Sequence, residues 1–482
     1  MSEITFGYIL FAVDFFLRGY FCIRIVRRRL PVGVSWAWIS IILFFPIAGT
    51  ILYLILGEYR LGARRVRRLR AADEAIRSLV GHSDSRVEES KLEEPARSFA
   101  LGMKSLFDFP LLSGNDIELL ENADVCFEHM IRDVDAAKTS CDMVFFIWSD
   151  GGRADDYGRA LIRAAQRGVK VRLLVDQVGS SEFIRGPMAR ELKAAGVTLR
   201  EALPSGVFRS LLARPDLRIH RKIIVIDGSI GYTGSLNLAD PVFFKRDAGV
   251  GQWVDALCRL KGPGVQSLSH VFLSDWCVET GENFLAVENR SEFKDIAVTR
   301  KTQMQCLPSG PAVHWSSIEE AMIMAIYAAR KELVLTTPYF IPNEALLYAL
   351  MSSARRGVAV TLIVPKVVDS TVIHYACRAF LQDLLEAGVR VALYRDGLLH
   401  TKSVTVDRQF SIFGSLNLDP RSLRINFEIS LAIYDREFTE KLRALQETYL
   451  GKSENLDLAT CQAQTKWQMF REDLARLAGP LL

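Results

Sequence analysis

Two stretches of this 482-residue chain carry the same frame of reactive side chains. Residues 220–237 read HRKIIVIDGSIGYTGSLN, and residues 400–417 read HTKSVTVDRQFSIFGSLN. Each holds a His, a Lys two residues on, an Asp five beyond that, and a Gly-Ser-x-Asn corner. The offset is 180 residues at His220/His400, Lys222/Lys402, Asp227/Asp407 and Asn237/Asn417. An imidazole beside a fixed cation suits phosphoryl chemistry. Charge develops on the non-bridging oxygens, while a nucleophile and an acid must stand in line with phosphorus. Two copies supply the two histidines that transfer through a covalent intermediate needs.

Strands must position these groups. Ile224 and Ile226, like Val404 and Val406, alternate as strand residues do. Side chains at i and i+2 of a strand share a face, so His220 and Lys222 point together, as do His400 and Lys402. Asp227 opens an Asp-Gly turn that favours a hairpin. Within the catalytic frame, Asp227 and Asp407 stand at an odd offset from their His. That parity gives them the role of holding local structure or balancing charge. Ser235, Asn237, Ser415 and Asn417 are expected to donate hydrogen bonds to substrate. Glu428, after the second copy, is a candidate for orienting a histidine. Asp247 and Asp255 follow the first copy without a close textual match to it.

The repeat extends beyond the motifs. RGVKVRLLVD at 167–176 answers RGVAVTLIVP at 356–365, and AAGVTL at 194–199 answers EAGVRV at 386–391. Expected strands (143–148, 170–175 and 197–201; 332–337, 359–364 and 389–394) alternate with amphipathic stretches, the first of them Ile117–Ala137. This is an α/β pattern of two sandwich halves related by a pseudo-twofold. From Gly196 to His220 is 24 residues against 12 from Gly388 to His400, so the first half carries about twelve extra residues before its His.

The duplicated motif resembles that of the phospholipase D superfamily. PVFFKRDAGVGQWVD at 241–255, TTPYFIP at 336–342, GLLHTKSVTVD at 397–407 and SLNLDPRSLRINFE at 415–428 narrow the resemblance to bacterial cardiolipin synthases, over nearly the whole chain. The resemblance implies two phospholipase D-like halves. It also implies transfer of the phosphatidyl group of one phosphatidylglycerol to the hydroxyl of a second, giving cardiolipin and glycerol through a phosphohistidine. Family precedent makes His220 the nucleophile and His400 the acid and base; the spacing alone leaves the two equivalent. No cofactor and no metal is expected, because two Lys and two His carry the charge. A phospholipase D-type hydrolase of phospholipid or nucleic acid would use the same groups. A catalytically inactive membrane scaffold is the third reading, and both motif copies being intact speaks against it. Tyr339, Phe340, Phe243 and Phe244 read equally as substrate contacts or core.

Charge separates the partners. Residues 1–70 carry eleven Arg against Glu3, Asp14 and Glu58, a net of +8, so with +4 overall the remainder is 4 − 8 = −4. A nucleic-acid enzyme usually carries a basic stripe on its catalytic body, and this body is mildly acidic. Arg clusters beside apolar segments suit anionic membrane lipid, with phosphatidylglycerol as substrate. Apolar residues make up 49% of the chain. Residues 4–26 include Asp14 and Arg18, spaced to pair on a helix, and Val34–Leu56 has no charge. Two spans, or a re-entrant hairpin broken at Pro46 and Gly49, both place the body on the cytoplasmic side of the inner membrane. No A-x-A-like cleavage site follows, which reads as an uncleaved anchor.

The expected organisation is a membrane anchor of two helices (1–57), then a basic juxtamembrane segment and linker (58–109). The two halves follow (110–297 and 298–450), and a C-terminal tail (451–482) docks on the body or touches the bilayer. In the second segment Leu61, Val66, Leu69, Ile76 and Leu79 accompany the Arg, as in a helix on lipid or a solvated one. Eight dispersed Cys without a C-x-x-C pair read as reduced core thiols. His82, His129, His270, His314 and His374 lack partners at ligand spacing.

Overall fold

A computed structural model describes residues 3–28, 30, 32–45, 47–58, 60–80, 87–204, 214–283, 301–311, 317–477 and 479. Two compact units form: Met1–Arg64 with Ser205–Leu217, and Arg65–Pro204 with Arg218–Leu482.

In the second unit the first eight strands are β1 (Leu112–Leu120), β2 (Ser140–Phe145), β3 (Lys170–Asp176), β4 (Thr198–Ala202), β5 (Ile223–Ile226), β6 (Ile230–Gly234), β7 (Trp253–Val254) and β8 (Leu257–Lys261). The remaining nine are β9 (Thr302–Ser309), β10 (Glu332–Thr336), β11 (Ala359–Pro365), β12 (Arg390–Tyr394), β13 (Leu398–Leu399), β14 (Ser403–Val406), β15 (Phe410–Gly414), β16 (Glu428–Tyr434) and β17 (Ser453–Asn455). Among the described residues fifteen strands make one sheet, in the order β17-β12-β11-β10-β14-β15-β16-β9-β1-β8-β6-β5-β2-β3-β4. Read inward from one edge, β4-β3-β2-β5-β6-β8-β1 is the same succession that β12-β11-β10-β14-β15-β16-β9 gives from the other. β1 and β9 meet in the middle and pair antiparallel. The fold is mixed α/β. The strands β2-β3-β4 and β10-β11-β12 pair parallel, and β2, β3 and β11 are buried along almost all their length.

Two large hydrophobic clusters lie in the core of this unit. Phe127, Met130, Tyr157, Leu161 and Leu192 fill the first, and Leu333, Leu362, Leu384, Phe410 and Ile412 belong to the second. Helix Gly264–Thr280 is buried along most of its length and packs on β2, β4–β6, β8 and also β9. All eight Cys are free thiols, six of them buried.

The structure sharpens three readings. The stretch Ile117–Ala137 is not one helix: Ile117–Leu120 completes β1, and the helix runs Ala123–Asp135 after an Asn122 cap whose Oδ1 accepts from the Val125 N–H. Part of the expected linker is core. Helix Ala96–Leu106 buries Phe99, Ala100 and Met103 in the second half, with the Phe99 ring stacked on Phe410 at 4.8 Å. Its polar neighbours in sequence hid a four-residue apolar stripe (96, 99, 100, 103) at helical spacing. The tail docks: β17 pairs with β12, and helix Lys466–Leu477 follows.

In the first unit, helix Glu3–Arg27 holds Arg18 against Asp14, the expected i,i+4 pair. The apolar segment 34–56 is not one helix. It forms Val32–Phe44, a break, then Ala48–Leu52 and a π-helical turn Tyr53–Gly57. Ile47 in the break has φ 59°, where a β-branched residue is strained; Pro46 beside it lies outside the described residues. Among the described residues no helix is long and apolar enough to cross a membrane, so the two-span expectation finds no spanning helix. Glu58 is fully buried and accepts from Arg24 at 2.6 Å and from the Tyr53 hydroxyl at 3.1 Å. The described end of the extra residues before His220 belongs to this unit: the Arg214 N–H donates to the Arg60 carbonyl at 2.8 Å. Residues 205–213, with the rest of that insertion, lie outside the described residues, as do 81–86 of the expected linker, His82, His314 and the side chains of Ile76 and Leu79. In the second unit, helix Ala63–Val80 directs Arg65 onto Glu279 at 2.8 Å and Arg68 onto the Val278 carbonyl at 2.7 Å.

Helix Ala96–Leu106 supplies a stability test. Phe99→Ala removes a stacked ring that is 2% exposed and should cost about 3–5 kcal/mol in denaturant unfolding. A change below about 0.5 kcal/mol would return the segment to linker status.

Candidate active site

The histidine strands are set by hairpins. β5 runs into β6 and β14 into β15, with Asp227 and Asp407 at the turns in left-handed conformation, φ 49° and 50°. The segment ahead of each His then crosses to the other half. The His220 N–H donates to the Phe427 carbonyl at 2.9 Å, and the Phe427 N–H donates to Arg218 at 2.9 Å. Equivalently, β13 pairs parallel with β7, and the His400 N–H donates to the Val254 carbonyl at 2.8 Å. Phe427 immediately precedes Glu428, and Val254 immediately precedes Asp255. Backbone pairing therefore brings each imidazole to a carboxylate that follows the other motif copy. His220 Nδ1 lies 2.8 Å from Glu428 Oε2, and His400 Nδ1 lies 2.7 Å from Asp255 Oδ1. Asp255 is thus the counterpart of Glu428. Sequence reading missed it because it stands eighteen residues after Asn237, whereas Glu428 stands eleven after Asn417.

A carboxylate on Nδ1 fixes that nitrogen as the N–H and leaves the Nε2 lone pair outward, the tautomer of a nucleophile or base. The seryl hydroxyls stand behind the carboxylates. Ser415 donates to Glu428, and its Oγ also accepts the Ile429 N–H at 3.0 Å; Ser235 Oγ accepts the Ala256 N–H at 3.1 Å. Glycine precedes each Ser for a steric reason. Gly234 has φ 153°, and a Cβ there would meet the Ala256 carbonyl at 2.6 Å; at Gly414 it would meet the Ile429 carbonyl. Only a bare backbone lets the corner approach the carboxylate strand.

Lys222 and Lys402 share the imidazole face, as the i, i+2 spacing requires. Lys222 Nζ donates to the His220 carbonyl at 2.7 Å, and Lys402 Nζ to the His400 carbonyl at 2.5 Å. Exposure is 6% at His220, 3% at His400, 1% at Lys222 and 2% at Lys402, so the cluster is shut from bulk water. Burial, the largest influence, pushes both imidazoles below their ordinary value against the pull of Glu428 and Asp255. Lys402 adds to that shift at His220 and Lys222 does so at His400, so the two motif copies share one electrostatic neighbourhood. Burial pushes Lys222 down to about 8 against Glu428, Asp255 and Asp176. It pushes Lys402 well below its usual range, with Lys222 adding to the shift. Burial would raise Asp255 and Glu428, but the facing His and Lys hold both low.

The other candidates are distributed around this cluster. Asn237 Oδ1 accepts the Ile147 N–H at 3.3 Å, and Asn237 and Asn417 are both buried. Asp227 and Asp407 do not join the histidines. Asp227 accepts the N–H groups of Lys138, Thr139 and Ser140 at 2.7–2.9 Å, and Asp407 those of Arg330, Lys331 and Glu332 at 2.7–2.8 Å. Each carboxylate ties its hairpin to the start of the neighbouring strand. Asp247 lies in a short helical turn, Arg246–Ala248, in which no residue is buried. Phe340 is core and Phe243 is half exposed. Tyr339 donates to Asp369 at 2.7 Å, Asp369 accepts Lys245 at 2.8 Å, and Phe244 packs on Trp253 at 5.0 Å. Trp253 in turn packs on the His400 ring at 4.4 Å, as Phe146 does on His220 at 4.9 Å. His129, His270 and His374 sit on three separate helices.

The family described as "Cardiolipin synthase, PLD-like domain" matches residues 130–275 and 322–449, one match over each motif copy. The chain belongs to this family. A second family, "Phospholipase_D-nuclease N-terminal", matches residues 19–58. Cardiolipin synthase A of Serratia proteamaculans (strain 568) is 40% identical over 462 residues, covering 95% of each chain. Cardiolipin synthase A of Yersinia pseudotuberculosis serotype O:1b (strain IP 31758) is 39% identical over 472 residues, again covering 95% of each. Among solved structures, the phosphatidylserine synthase of Haemophilus influenzae Rd KW20 shares the fold, with a TM-score of 0.62 at 14% identity over 80% of this chain and 100% of that one. As a member of the cardiolipin synthase, PLD-like family, the chain keeps both copies of the motif intact.

Two outcomes follow from the geometry. Asp227→Ala and Asp407→Ala each strip a carboxylate from several backbone donors. Each should cost about 2–4 kcal/mol in thermal or denaturant unfolding, while turnover per folded molecule stays within about threefold. A loss of turnover beyond about a hundredfold with stability intact would place these residues in the chemistry. The second concerns pH. Lys222 is charged below about pH 8 and loses its proton above it, and Lys402 is also pushed down by burial. kcat/KM for a phosphodiester anion should therefore fall as pH rises through about 8; a flat or rising profile to pH 9.5 would contradict the assignment.

Proposed function

We propose that this protein is a cardiolipin synthase that moves the phosphatidyl group of one phosphatidylglycerol to a hydroxyl of a second, releasing glycerol. The observation that carries the reading is the crossed pairing of His220 with Glu428 and His400 with Asp255 beside two buried lysines. His220 Nε2 attacks phosphorus, and the phosphorus–oxygen bond to the departing glycerol breaks. His400 gives that oxygen its proton. The hydroxyl of the second phosphatidylglycerol then yields its proton to His400 and attacks phosphorus. The phosphorus–nitrogen bond breaks, and both imidazoles return to their starting states. Lys222 and Lys402 neutralise the non-bridging oxygens, and Asn237 and Asn417 stand as further hydrogen-bonding partners.

Burial supports the proton supply. An imidazole held below its ordinary value is neutral when free, as the nucleophile must be. A phosphodiester brings a negative charge into a cluster of Lys222, Lys402, Asp255 and Glu428. That charge favours protonation of His400, and so arms the acid at the moment of binding. Exclusion of bulk water also favours a lipid alcohol over water as acceptor.

We assign the catalytic body to two phospholipase D-like halves, 110–297 and 298–450, related by a pseudo-twofold; the matching strand order from the two sheet edges supports this. The apolar helices of residues 1–57 attach it to the cytoplasmic face of the inner membrane. Exposed Phe11, Phe15, Phe16, Trp36 and Phe44 there support the attachment.

Labelled phosphatidylglycerol tests the reaction. The wild type should give cardiolipin and glycerol, and His220→Ala and His400→Ala should each lose at least about a thousandfold in rate. Phosphatidic acid without cardiolipin would make the enzyme a hydrolase. Acid-labile label trapped on His220 is expected in a quenched reaction, and label on His400 alone would exchange the two roles.

A further inference from the structure

Helix Lys466–Leu477 lies beyond the catalytic matches and is held firmly on one side. Glu472 is 7% exposed and accepts Arg378 at 3.1 Å and Gln464 at 2.9 Å. Ala475 is buried beside it, and the Arg471 guanidinium stacks over Tyr375 at 4.7 Å. The opposite side is bare. Trp467 is 64% exposed, Phe470 53%, Leu474 56% and Leu477 75%. At roughly 100° per residue, these four positions fall within one arc of about 80°, and Lys466 and Arg471 border it on either side. The Trp467 and Phe470 rings stack at 5.5 Å with 20° between their planes, forming a single outward aromatic surface.

We propose that this stripe docks the catalytic body on an anionic phospholipid bilayer, an attachment separate from the apolar N-terminal helices. The proposal rests on the lipid-substrate reading above. An apolar arc with a tryptophan, bordered by basic side chains, is the pattern of a helix lying in the headgroup region. The nearby acid on the polar side, Asp473, faces Arg476 at 3.9 Å. A second copy of the chain is the poorer occupant, because four side chains on a twelve-residue helix supply only part of the roughly 800 Å² per partner of a stable dimer. The location also suits lipid delivery. Helix Thr371–Arg378, on which the stripe's helix packs, starts two residues after Asp369. Asp369 holds Lys245, and Lys245 lies 5.4 Å from the ring of Trp253, which packs on His400.

The test uses the full chain. Leu474→Cys, labelled with a polarity-sensitive dye and compared with identically treated wild type, should shift to the blue on vesicles of equal phosphatidylglycerol and phosphatidylcholine. On phosphatidylcholine alone it should shift far less. The triple variant Trp467→Ser, Phe470→Ser, Leu474→Ser should turn over vesicle phosphatidylglycerol about tenfold more slowly, yet stay within about twofold on monomeric short-chain phosphatidylglycerol. A dye that stays aqueous on both vesicles overturns the proposal, as does equal loss on both substrates. A blue shift without lipid that grows with protein concentration overturns it in favour of self-association. Absence of cardiolipin from short-chain substrate in the wild type would instead refute the reaction, whatever the dye reports.

Discussion

Each imidazole is held by a carboxylate that follows the other motif copy. That exchange is the constraint on which the rest of the structure depends. For Glu428 to reach His220, residue 427 must pair with the backbone ahead of His220; for Asp255 to reach His400, β7 must pair with β13. Both pairings need the halves in fixed register, which the antiparallel contact of β1 with β9 in mid-sheet provides. Helix Gly264–Thr280 adds to it by packing on strands of both.

Burying two lysines and two carboxylates together is expensive, several kcal/mol per ion before pairing. Cross-half packing is what makes it tolerable, because each charge meets an opposite one from the partner half. The same arrangement sets two cations beside the imidazoles, where a phosphodiester can meet both. Both lysines are pushed down by burial, and each donates to the carbonyl of its own histidine. An incoming phosphodiester offers both a better acceptor and a compensating charge, so binding and protonation reinforce each other.

The duplicated frame was legible because its information is local. Period-two geometry puts His and Lys on one strand face, and the structure keeps them there. At their odd offset, Asp227 and Asp407 lie off that face and accept backbone N–H groups at the hairpin ends. What the sequence hid depends on long-range pairing. β1 begins Leu-Ser-Gly-Asn-Asp and β9 contains Gln303, Gln305 and Pro308, so neither reads as a central strand. Each is nonetheless enforced by two neighbours. Asp255 escaped because loops of unequal length put the two carboxylates at different distances from their motifs. Ser235 and Ser415 are adjacent to the site in sequence, but their hydroxyls face the carboxylate strands behind it.

The two motif copies also differ at the residue between His and Lys. Arg221 is buried, donates to the Glu428 carbonyl at 3.0 Å and to Ser309 at 3.1 Å, and pairs with Asp275 at 2.5 Å. Thr401, its counterpart, uses a hydroxyl on the Val254 carbonyl at 3.2 Å and shares a hydrogen bond with Tyr449. The support under the Glu428–His220 pair is therefore a charged strut tied into the central helix, while that under Asp255–His400 is a neutral hydroxyl. A planar guanidinium with several fixed donors constrains orientation more tightly than a rotatable O–H. That difference suits the proposed division of labour. A nucleophile must keep its line of attack while a phosphorus–nitrogen bond forms and breaks, whereas an acid–base group need only stay within hydrogen-bond reach of two successive alcohol oxygens.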